Sequence, residues 1–526
     1  MYKDITLRIS PRLAASHADL LAEAARVARV SPREIHDLCI VRRSVDARKH
    51  PVMLNLSLRL ALGDDRRVDP IISPISFSPV PTDAPVIIIV GAGPAGLFAA
   101  LKAITLGLRP IIFERGRDVD ARRRDLAQIS RQGVINPISN YCFGEGGAGA
   151  YSDGKLFTRS KKRGSVEEIL QIFVQHGADP SILVDAHPHI GSDRLPHIIK
   201  SIRHTIISCG GEVHFEAHVD DIIIEDGKAV GVVVAGTTHR ADALILATGH
   251  SAHDTFRTLH QRGVAISAKG IAVGVRLEHP QHLIDCIQYH NKAGRGEFLP
   301  AAEYAFVTQV DGRGVYSFCM CPGGVVVPAA AADGELVVNG MSASARAGRF
   351  ANSGMVVEIR PGDFPEFADK GPLEMLDLQE WLEHRFFEAA GNSIVAPAQR
   401  MLDFVEGRLS PTIPATSYAP GIQSADFNTL LPSFIASRLA DGFREFGRKA
   451  RGFLTNDATM IGLESRTSSP IRVDRDNASL CSCNIARLFP AGEGAGYAGG
   501  IVSAAIDGMR CAQAANDALS SSPDNP

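Results

Sequence analysis

The 526-residue chain has nine cysteines but no Cys-x-x-Cys pair, which removes the dithiol spacing that marks disulfide reductases. An odd number of cysteines scattered over so long a chain does not read as a disulfide framework either. The opening MYKDITLRISPR mixes acids and bases without an apolar secretory region, so a reducing cytoplasm is the expected compartment. Net charge is only −3, too small to draw the chain to nucleic acid or an anionic membrane. Basic clusters at Arg122–Arg124 and Arg159–Arg163 read as solvated faces or phosphate contacts. Val86–Leu108 is long enough to suggest a membrane span, but three glycines, a proline and Lys102 interrupt it. No membrane span is expected.

What the chain does have is 45% apolar and 21% charged residues, the balance of a soluble globular protein of two or three domains. Its most informative stretch is VIIIVGAGPAGLFAALKAITLGLRPIIFERG, Val86–Gly116. Val86–Val90 is short, β-branched and apolar on both faces, as a buried parallel strand should be. Gly91, Gly93 and Gly96 follow at the G-x-G-x-x-G spacing, which permits a tight turn, close approach to a pyrophosphate and close packing of the next helix. That helix presents its N-terminal amides and dipole to the phosphates. A second strand, Ile111–Phe113, ends on Glu114, about 20 residues beyond the glycines, where a carboxylate can accept ribose hydroxyls.

Ahead of this unit, Ile5–Ile9, a helix from about Ser16, Ile35–Val45 and Val52–Leu62 form a βαββ pattern of ferredoxin-like flavour. The charged SVDARK between the last two strands is a solvated turn or a contact to the main domain or a substrate. Pro70, Pro74, Pro79, Pro81 and Pro85 mark a linker. After a charged helix to about Ser130 comes NYCFGEGGAGAYSDGKLFTR, Asn140–Arg159, whose interleaved aromatic and charged residues favour an ordered loop wrapping a cofactor. Its amides can form an anion-binding nest, and Lys155 can place positive charge near a reduced flavin ring. Ser165–Gly211 is helical with breaks. Its His187, His189, His197 and His204 lack metal-ligand spacing, leaving His187 and His189 as candidates to approach substrate. Strands are expected at Glu212–Val219, Asp221–Glu225, Ala229–Ala235 and Ala241–Ala247, the last opening onto a Thr248–Gly249 turn that lets backbone pass close to a dinucleotide.

Between about Gly263 and Phe446 the texture changes to a mixed sheet with two helices. Strands are expected at Ala272–Leu277, Glu303–Val310, Gly314–Met320, Gly324–Val327 and Glu335–Val338, and helices around Leu373–Ala390 and Asn428–Phe446. Such a sheet is a natural roof over a reactive ring. Cys319 and Cys321, like Cys481 and Cys483, form Cys-x-Cys pairs too closely spaced for structural zinc; either of the first two is a core residue or a thiol beside a flavin. Arg466, Thr467 and Ser468 are a site wall or a turn. Near the C-terminus, Gly492 and Glu493 end a strand, and Gly499 and Gly500 open a small-residue helix.

Together, GAGPAG with ERG, FGEGGAGAYSDGKL, the ATG turn, ESRTSSPIRVDRD and FPAGEGAGYAGGIVSAAIDG resemble the bacterial family of predicted FAD-dependent dehydrogenases, oxidoreductases of the glutathione-reductase-like FAD fold, over nearly the whole chain. The resemblance implies non-covalent FAD, with its pyrophosphate at Gly91–Gly96, its ribose at Glu114, and Gly492 and Glu493 near the ribityl and phosphate groups. Candidate cofactor contacts are Gly91, Gly93, Pro94, Ala95, Gly96, Glu114, Arg115 and Arg122 from the first unit. Gly146, Gly147, Ala148, Ser152, Asp153, Gly154 and Lys155 come from the second glycine loop. Val219, Ala247, Thr248, Gly249, Gly492, Glu493, Ala498, Gly499 and Gly500 complete the set. No catalytic residue and no metal site is assigned.

The expected architecture is α/β: a Rossmann-type three-layer FAD/NAD(P)-binding fold with an inserted mixed α+β domain and a small N-terminal unit. The division is residues 1–65 for the N-terminal unit, 66–84 for the linker, 85–262 and 447–517 for the FAD-binding domain, 263–446 for the insertion, and 518–526 for a disordered tail. The expected activity is FAD-dependent oxidoreduction at the interface with the insertion. Only one complete nucleotide fingerprint is present, so NAD(P)H would dock transiently, or a carrier protein would supply electrons, and the substrate is a small molecule or an electron carrier. The rivals are an FAD-dependent RNA-modifying enzyme and a scaffold with structural FAD.

Overall fold

The computed structural model describes residues 1–68, 72–158 and 164–521. Pro70, the basic cluster Arg159–Arg163 and the last residues of the expected tail lie outside them. Five parallel strands lie in the order Leu488–Pro490, Ala243–Leu246, Val86–Val90, Arg109–Phe113 and Glu212–His214. The helices Pro94–Thr105 and Ile501–Ser520 share one core with that sheet's Ile87, Ile89 and Ile245. Its other face packs through Ile88, Leu244 and Leu246 on an antiparallel sheet of Val219–Glu225, Lys228–Val234 and Thr237–Arg240. Cover on both faces is why Val86–Val90 carries no polar alternation.

The helix Pro94–Thr105 is buried almost all round, which its alanines and glycines allow. A Cβ on Gly96 would strike the Gly91 carbonyl, and one on Gly508 would strike the Ala95 carbonyl where the two helices cross. The C-terminal helix continues to Ser520, so the expected tail is helical over its first residues.

The N-terminal unit is a three-stranded antiparallel sheet in the order Tyr2–Ile9, Met53–Leu62, Ile35–Asp46, with the helix His17–Ala28 packed on its leucine face and capped by Ser16. It is docked on the main body. Arg43 pairs with Asp185 at 2.6 and 2.9 Å, and Ala47 and Val52 pack into the inserted domain's core, so SVDARK makes a contact to the main body. The proline-rich segment is also packed, with Ile75 exchanging hydrogen bonds with Gln175 at 2.9 and 2.8 Å and Phe77 and Val80 lying against the helical core.

The inserted region is one large sheet, in the order Val307–Val310, Arg313–Pro328, Phe350–Ile359, Ile271–Pro280, Thr459–Glu464, Ala396–Arg400 and Ile422–Ser424, with Val338–Met341 also paired to Arg313–Pro328. Helices Glu374–Ala389 and Ser433–Lys449 share its core.

Several expectations are corrected here. The sheet extends through Thr459–Glu464, past the expected limit at residue 446, because that strand pairs with Ile271–Pro280. Gly314–Met320 and Gly324–Val327 are one bulged strand. Val338–Met341 replaces the strand expected at Glu335–Val338, and only Val307–Val310 of Glu303–Val310 is paired. Glu212–Val219 is two strands, because the chain leaves the parallel sheet after His214 and enters the antiparallel one at Val219.

Substituting Gly508→Ala should force the two crossing helices apart. The expected cost is about 1–3 kcal/mol, read as a lowered midpoint in chemical denaturation of the apoprotein.

A candidate cofactor site at the switch point of the parallel sheet

Val86–Val90 and Ala243–Leu246 are spatial neighbours far apart in sequence. Sheet order reverses between them, and a ligand crevice forms beyond the carboxyl ends of strands at such a point. A cavity of about 370 Å³ opens there, within the range of small-molecule sites. One end is walled by Phe113, Glu114, Arg115, Ala217, His218 and Val219. The middle is walled by Gly91, Gly93, Pro94, Gly147, Ala148 and Gly249, and the inserted sheet adds Phe318, Cys319 and Asn339.

Two helix N-termini face this space. Pro94–Thr105 starts from Gly93 and Ile501–Ser520 from Gly500, both without a side-chain cap, whereas Ser16, Asp118 and Ser165 cap their helices with side-chain oxygens. Their leading amides therefore lack a capping partner and carry the positive end of the dipole. Nothing lies within 4 Å of where a Cβ would stand on Gly249, Gly499 or Gly500. Gly93 faces Gly147 backbone to backbone, and an added Cβ on Gly147 would come within 3.2 Å of the Gly93 Cα.

Glu114 lines the cavity and is itself heavily hydrogen-bonded. Its carboxylate accepts the amides of Ala92 at 2.8 Å, Gly116 at 2.9 Å and Gly144 at 3.0 Å, leaving about one of four acceptor sites for a ligand hydroxyl. Arg115 forks onto Asp254 at 3.0 and 2.9 Å and stacks 4.2 Å over Phe143.

Arg122 requires correction. It is fully buried, away from the cavity wall, and donates to the carbonyls of Asn140 (2.8 Å), Tyr141 (3.1 Å), Gly144 (3.2 Å), Glu145 (2.8 Å) and Gly147 (2.9 Å). It shapes the second glycine loop from within and is neither a solvated charge nor a ligand contact. Burial lowers its pKa against the pull of nearby Tyr151 and Glu114.

Gly96, Gly146, Gly492 and Ala498 also stand outside the cavity lining. Gly96 lets its helix close on the Gly91 carbonyl of the preceding turn, an added Cβ on Gly146 would strike Ile199, and the Gly492 amide is held by Asp507 at 2.8 Å. Ala498 packs against the helical core. The other candidate residues, from Gly91 through Gly500, are brought to the cavity.

Charged groups gather at the end formed with the inserted sheet. Lys155 lies 3.1 Å from Asp153 and donates to the Met320 carbonyl. Burial opposes its charge, but Asp153, Cys321 and Cys319 outweigh that and raise its pKa. Asp153 is also held by Arg346. Burial pushes the Glu493 carboxyl up to about 7 against Lys269, with Cys319 adding to the rise. Burial, then Arg466, drives His250 down to about 3, so it is neutral at ordinary pH.

Of the Arg466–Ser468 turn, Arg466 reaches the cavity while anchored by Glu383 and Glu335 at 2.6 Å each. Thr467 closes on the Ala272 backbone. His189 bonds the Ser344 carbonyl at 3.1 Å and does not line the cavity. Wall residues that sequence reasoning missed include His218, His250, Phe318 and Asn339; His250 directly follows the ATG turn and was the most findable. Among the described residues no cluster of three or more His, Cys, Asp or Glu is arranged to hold a metal, and no helix is long and apolar enough to cross a membrane.

Fold and site thus define a dinucleotide-type α/β protein whose switch-point cavity is roofed by a second sheet. Residues 270–467, which span that second sheet, match the family model of the FAD-dependent protein C-terminal domain, and residues 1–61 match a domain of unknown function. The chain is 40% identical over 501 residues, 92% of its length and 93% of the relative's, to an uncharacterized protein of Clostridium beijerinckii. It belongs to the same family as that protein.

Similar solved structures include a geranylgeranyl bacteriochlorophyll reductase-like protein of Thermoplasma acidophilum (13% identity, TM-score 0.34, 83% of this chain and 79% of that one). Others are CtdE in complex with FAD (12%, 0.31, 81% and 82%) and a flavocytochrome c3 fumarate reductase (12%, 0.33, 83% and 79%). Similarity at that level carries no weight for activity.

Two outcomes follow from the site's architecture. Arg122→Met keeps bulk but strands the carbonyls of Asn140, Tyr141, Glu145 and Gly147, leaving Gly144's only the Gly147 amide, and should lower unfolding stability by about 3 kcal/mol or more, since bonds to charged groups contribute about 1.5–3 kcal/mol each; denaturant titration measures it. For Glu493, a folded pKa near 7 lies above its ordinary 4.5. The folded apoprotein therefore holds the proton longer than the unfolded chain, and stability falls as pH rises from about 4.5 through 7. Glu493→Gln should melt above wild type at pH 8 and converge with it near pH 4.5, in thermal scans of the apoprotein.

Proposed function

We propose that the chain binds FAD non-covalently in the switch-point cavity and works as a flavin-dependent oxidoreductase on a substrate brought against the inserted sheet. The observation that carries this reading is the pair of uncapped helix N-termini opening on one cavity, with glycines whose missing side chains leave it free. A diphosphate supplies the negative charge those termini favour, and the cavity has further walls on either side for a longer ligand.

In this reading Gly91, Gly93, Pro94 and Gly147 hold the pyrophosphate. Glu114, Arg115 and Val219 bound the adenosine end, and Ser152–Lys155, Glu493, Gly499 and Gly500 bound the ring end. The bound flavin would supply two-electron hydride chemistry. The protein's own groups do the rest. Lys155 holds positive charge at the ring end, Glu493 can hold or yield a proton near neutral pH, and neutral His250 presents a polar edge without adding charge. Phe318 and Asn339 close the cavity from the inserted side and limit water. Electrons would come from a transiently docked NAD(P)H.

Reconstitution with FAD tests the reading. The oxidised protein should show protein-bound flavin absorbance that survives desalting. Gly499→Val should leave apoprotein unfolding unchanged, because its side chain meets open space, while weakening FAD binding at least about tenfold, roughly 1.4 kcal/mol. Equal FAD retention in wild type and variant would place the flavin elsewhere.

A further inference from the structure

The strand Arg313–Pro328 does not pass the cavity evenly. Its register against Phe350–Ile359 shifts between Phe318 and Cys321 and again before Gly324, and Cys319 sits at φ +44°. A left-handed non-glycine residue is uncommon, and bulges beside active sites re-aim side chains. Cys319 is here a wall residue of the cavity, together with Lys155 and Phe318. Cys321 is fully buried. Its Sγ donates to the Cys319 carbonyl at 3.4 Å and accepts from Arg276 Nη2 at 3.2 Å, and that nitrogen also donates to the Cys319 carbonyl at 2.7 Å.

The two thiols are chemically unequal. A hydrogen bond from the Cys321 side chain, with the charges of Lys155 and Arg276, holds the Cys319 thiol well below the ordinary range against burial and Asp153. The same bond and burial push Cys321 up. Glu464, 3.2 Å from Arg276, and Glu493 are the other acids that feel the Cys319 charge, while Arg346 faces Cys321. The more acidic sulfur is thus the one on the cavity wall, and the less acidic one lies buried behind it. A two-electron dithiol couple uses that division between attacking and resolving sulfurs.

We propose that Cys319 and Cys321 form a redox-active dithiol at the reacting end of the cavity, Cys319 attacking and Cys321 resolving, and that the substrate is a low-molecular-weight disulfide. The proposal rests on the reading of the cavity as a flavin site. The Cys319 thiolate attacks one sulfur of RSSR, the S–S bond breaks, RS⁻ leaves, and Cys319 carries the mixed disulfide. Cys321 then gives up its proton and attacks the Cys319 sulfur, so the second R-thiolate departs. The products are RS⁻, RSH and a Cys319–Cys321 disulfide. With FAD bound as proposed, the flavin would supply the two electrons that return the pair to one thiolate and one thiol, a nicotinamide dinucleotide being their source. The missing Cys-x-x-Cys is no obstacle, because the bulge brings the Cys321 sulfur against the Cys319 backbone at shorter spacing.

Dithiodipyridine serves as the probe disulfide on the full-length apoprotein, with acid quenching and mass-spectrometric mapping of the peptide that contains both cysteines. Wild type should release two thiopyridones from this peptide and end with an internal disulfide. Cys321→Ser, and Cys321→Ala as a check on packing, should stop at a pyridyl adduct on Cys319. The first step should titrate with a midpoint below the ordinary thiol value of about 8.5.

A stable pyridyl adduct on wild-type Cys319, or Cys321 variants indistinguishable from wild type, would overturn the proposal without touching the flavin reading. Flavin-loaded protein carrying the disulfide should regain both thiols on anaerobic addition of NADH or NADPH. A disulfide that stays closed while the same nicotinamide bleaches the flavin also overturns it. Failure to bind flavin at all would overturn the flavin reading instead, and would show in the absorbance spectrum.

Discussion

The site depends on a cation that no ligand sees. Arg122 is wholly buried and touches no carboxylate; its guanidinium is satisfied by five backbone carbonyls of the loop Asn140–Gly147. Taking such a group out of water is costly, so the charge is tolerable only because the loop wraps it completely. The converse also holds, since a glycine-dense loop has little of its own to fix its shape and here takes that shape from the cation. Gly144 shows how tightly the two fit, since an added Cβ would strike the Arg122 side chain.

Glu114 joins that loop to the first glycine turn. Its carboxylate accepts Ala92 from the turn, Gly116 beyond its own strand, and Gly144 from the arginine-held loop. Gly146 adds a bond from its amide to the Ala92 carbonyl at 2.8 Å. An acid and a base, neither bonded to the other, thus bring two glycine segments face to face at Gly93 and Gly147. The ligand space between them is polar through backbone amides and helix ends, which are fixed in direction and cannot collapse onto each other as side-chain charges would.

How far the chain could be read before folding follows from how local each signal is. The turn Gly91–Gly96, its helix and Glu114 form one contiguous pattern whose spacing is set by backbone geometry, and it was legible. The role of Arg122 was not, because three adjacent arginines look alike in sequence and only the fold turns one inward. Phe350–Ile359 escaped notice because Asn352 and Ser353 break its apolar pattern. They are buried in the middle of a sheet, where Asn352 serves Arg276 at 2.8 Å. Phe318 and Asn339 reach the cavity only through the register of a sheet assembled from strands up to 190 residues apart. No local pattern encodes that.

The two ends of the cavity are built on different principles. From Glu114 through Gly91, Gly93 and Gly147 the walls are mainly backbone, small side chains and a helix terminus. Where the inserted sheet arrives, titratable groups appear together: Lys155, Cys319, Glu493 and Arg466, backed by Arg276 and Glu464. These come from separate stretches of chain and two separate sheets, so their assembly requires the insertion to be seated. The Lys155 bond to the Met320 carbonyl and the Asp153 pairing with Arg346 cross that junction. The junction that seats the roof therefore also sets the charge at that end of the cavity, and a displacement of the inserted sheet would change that charge while leaving the glycine-walled end intact.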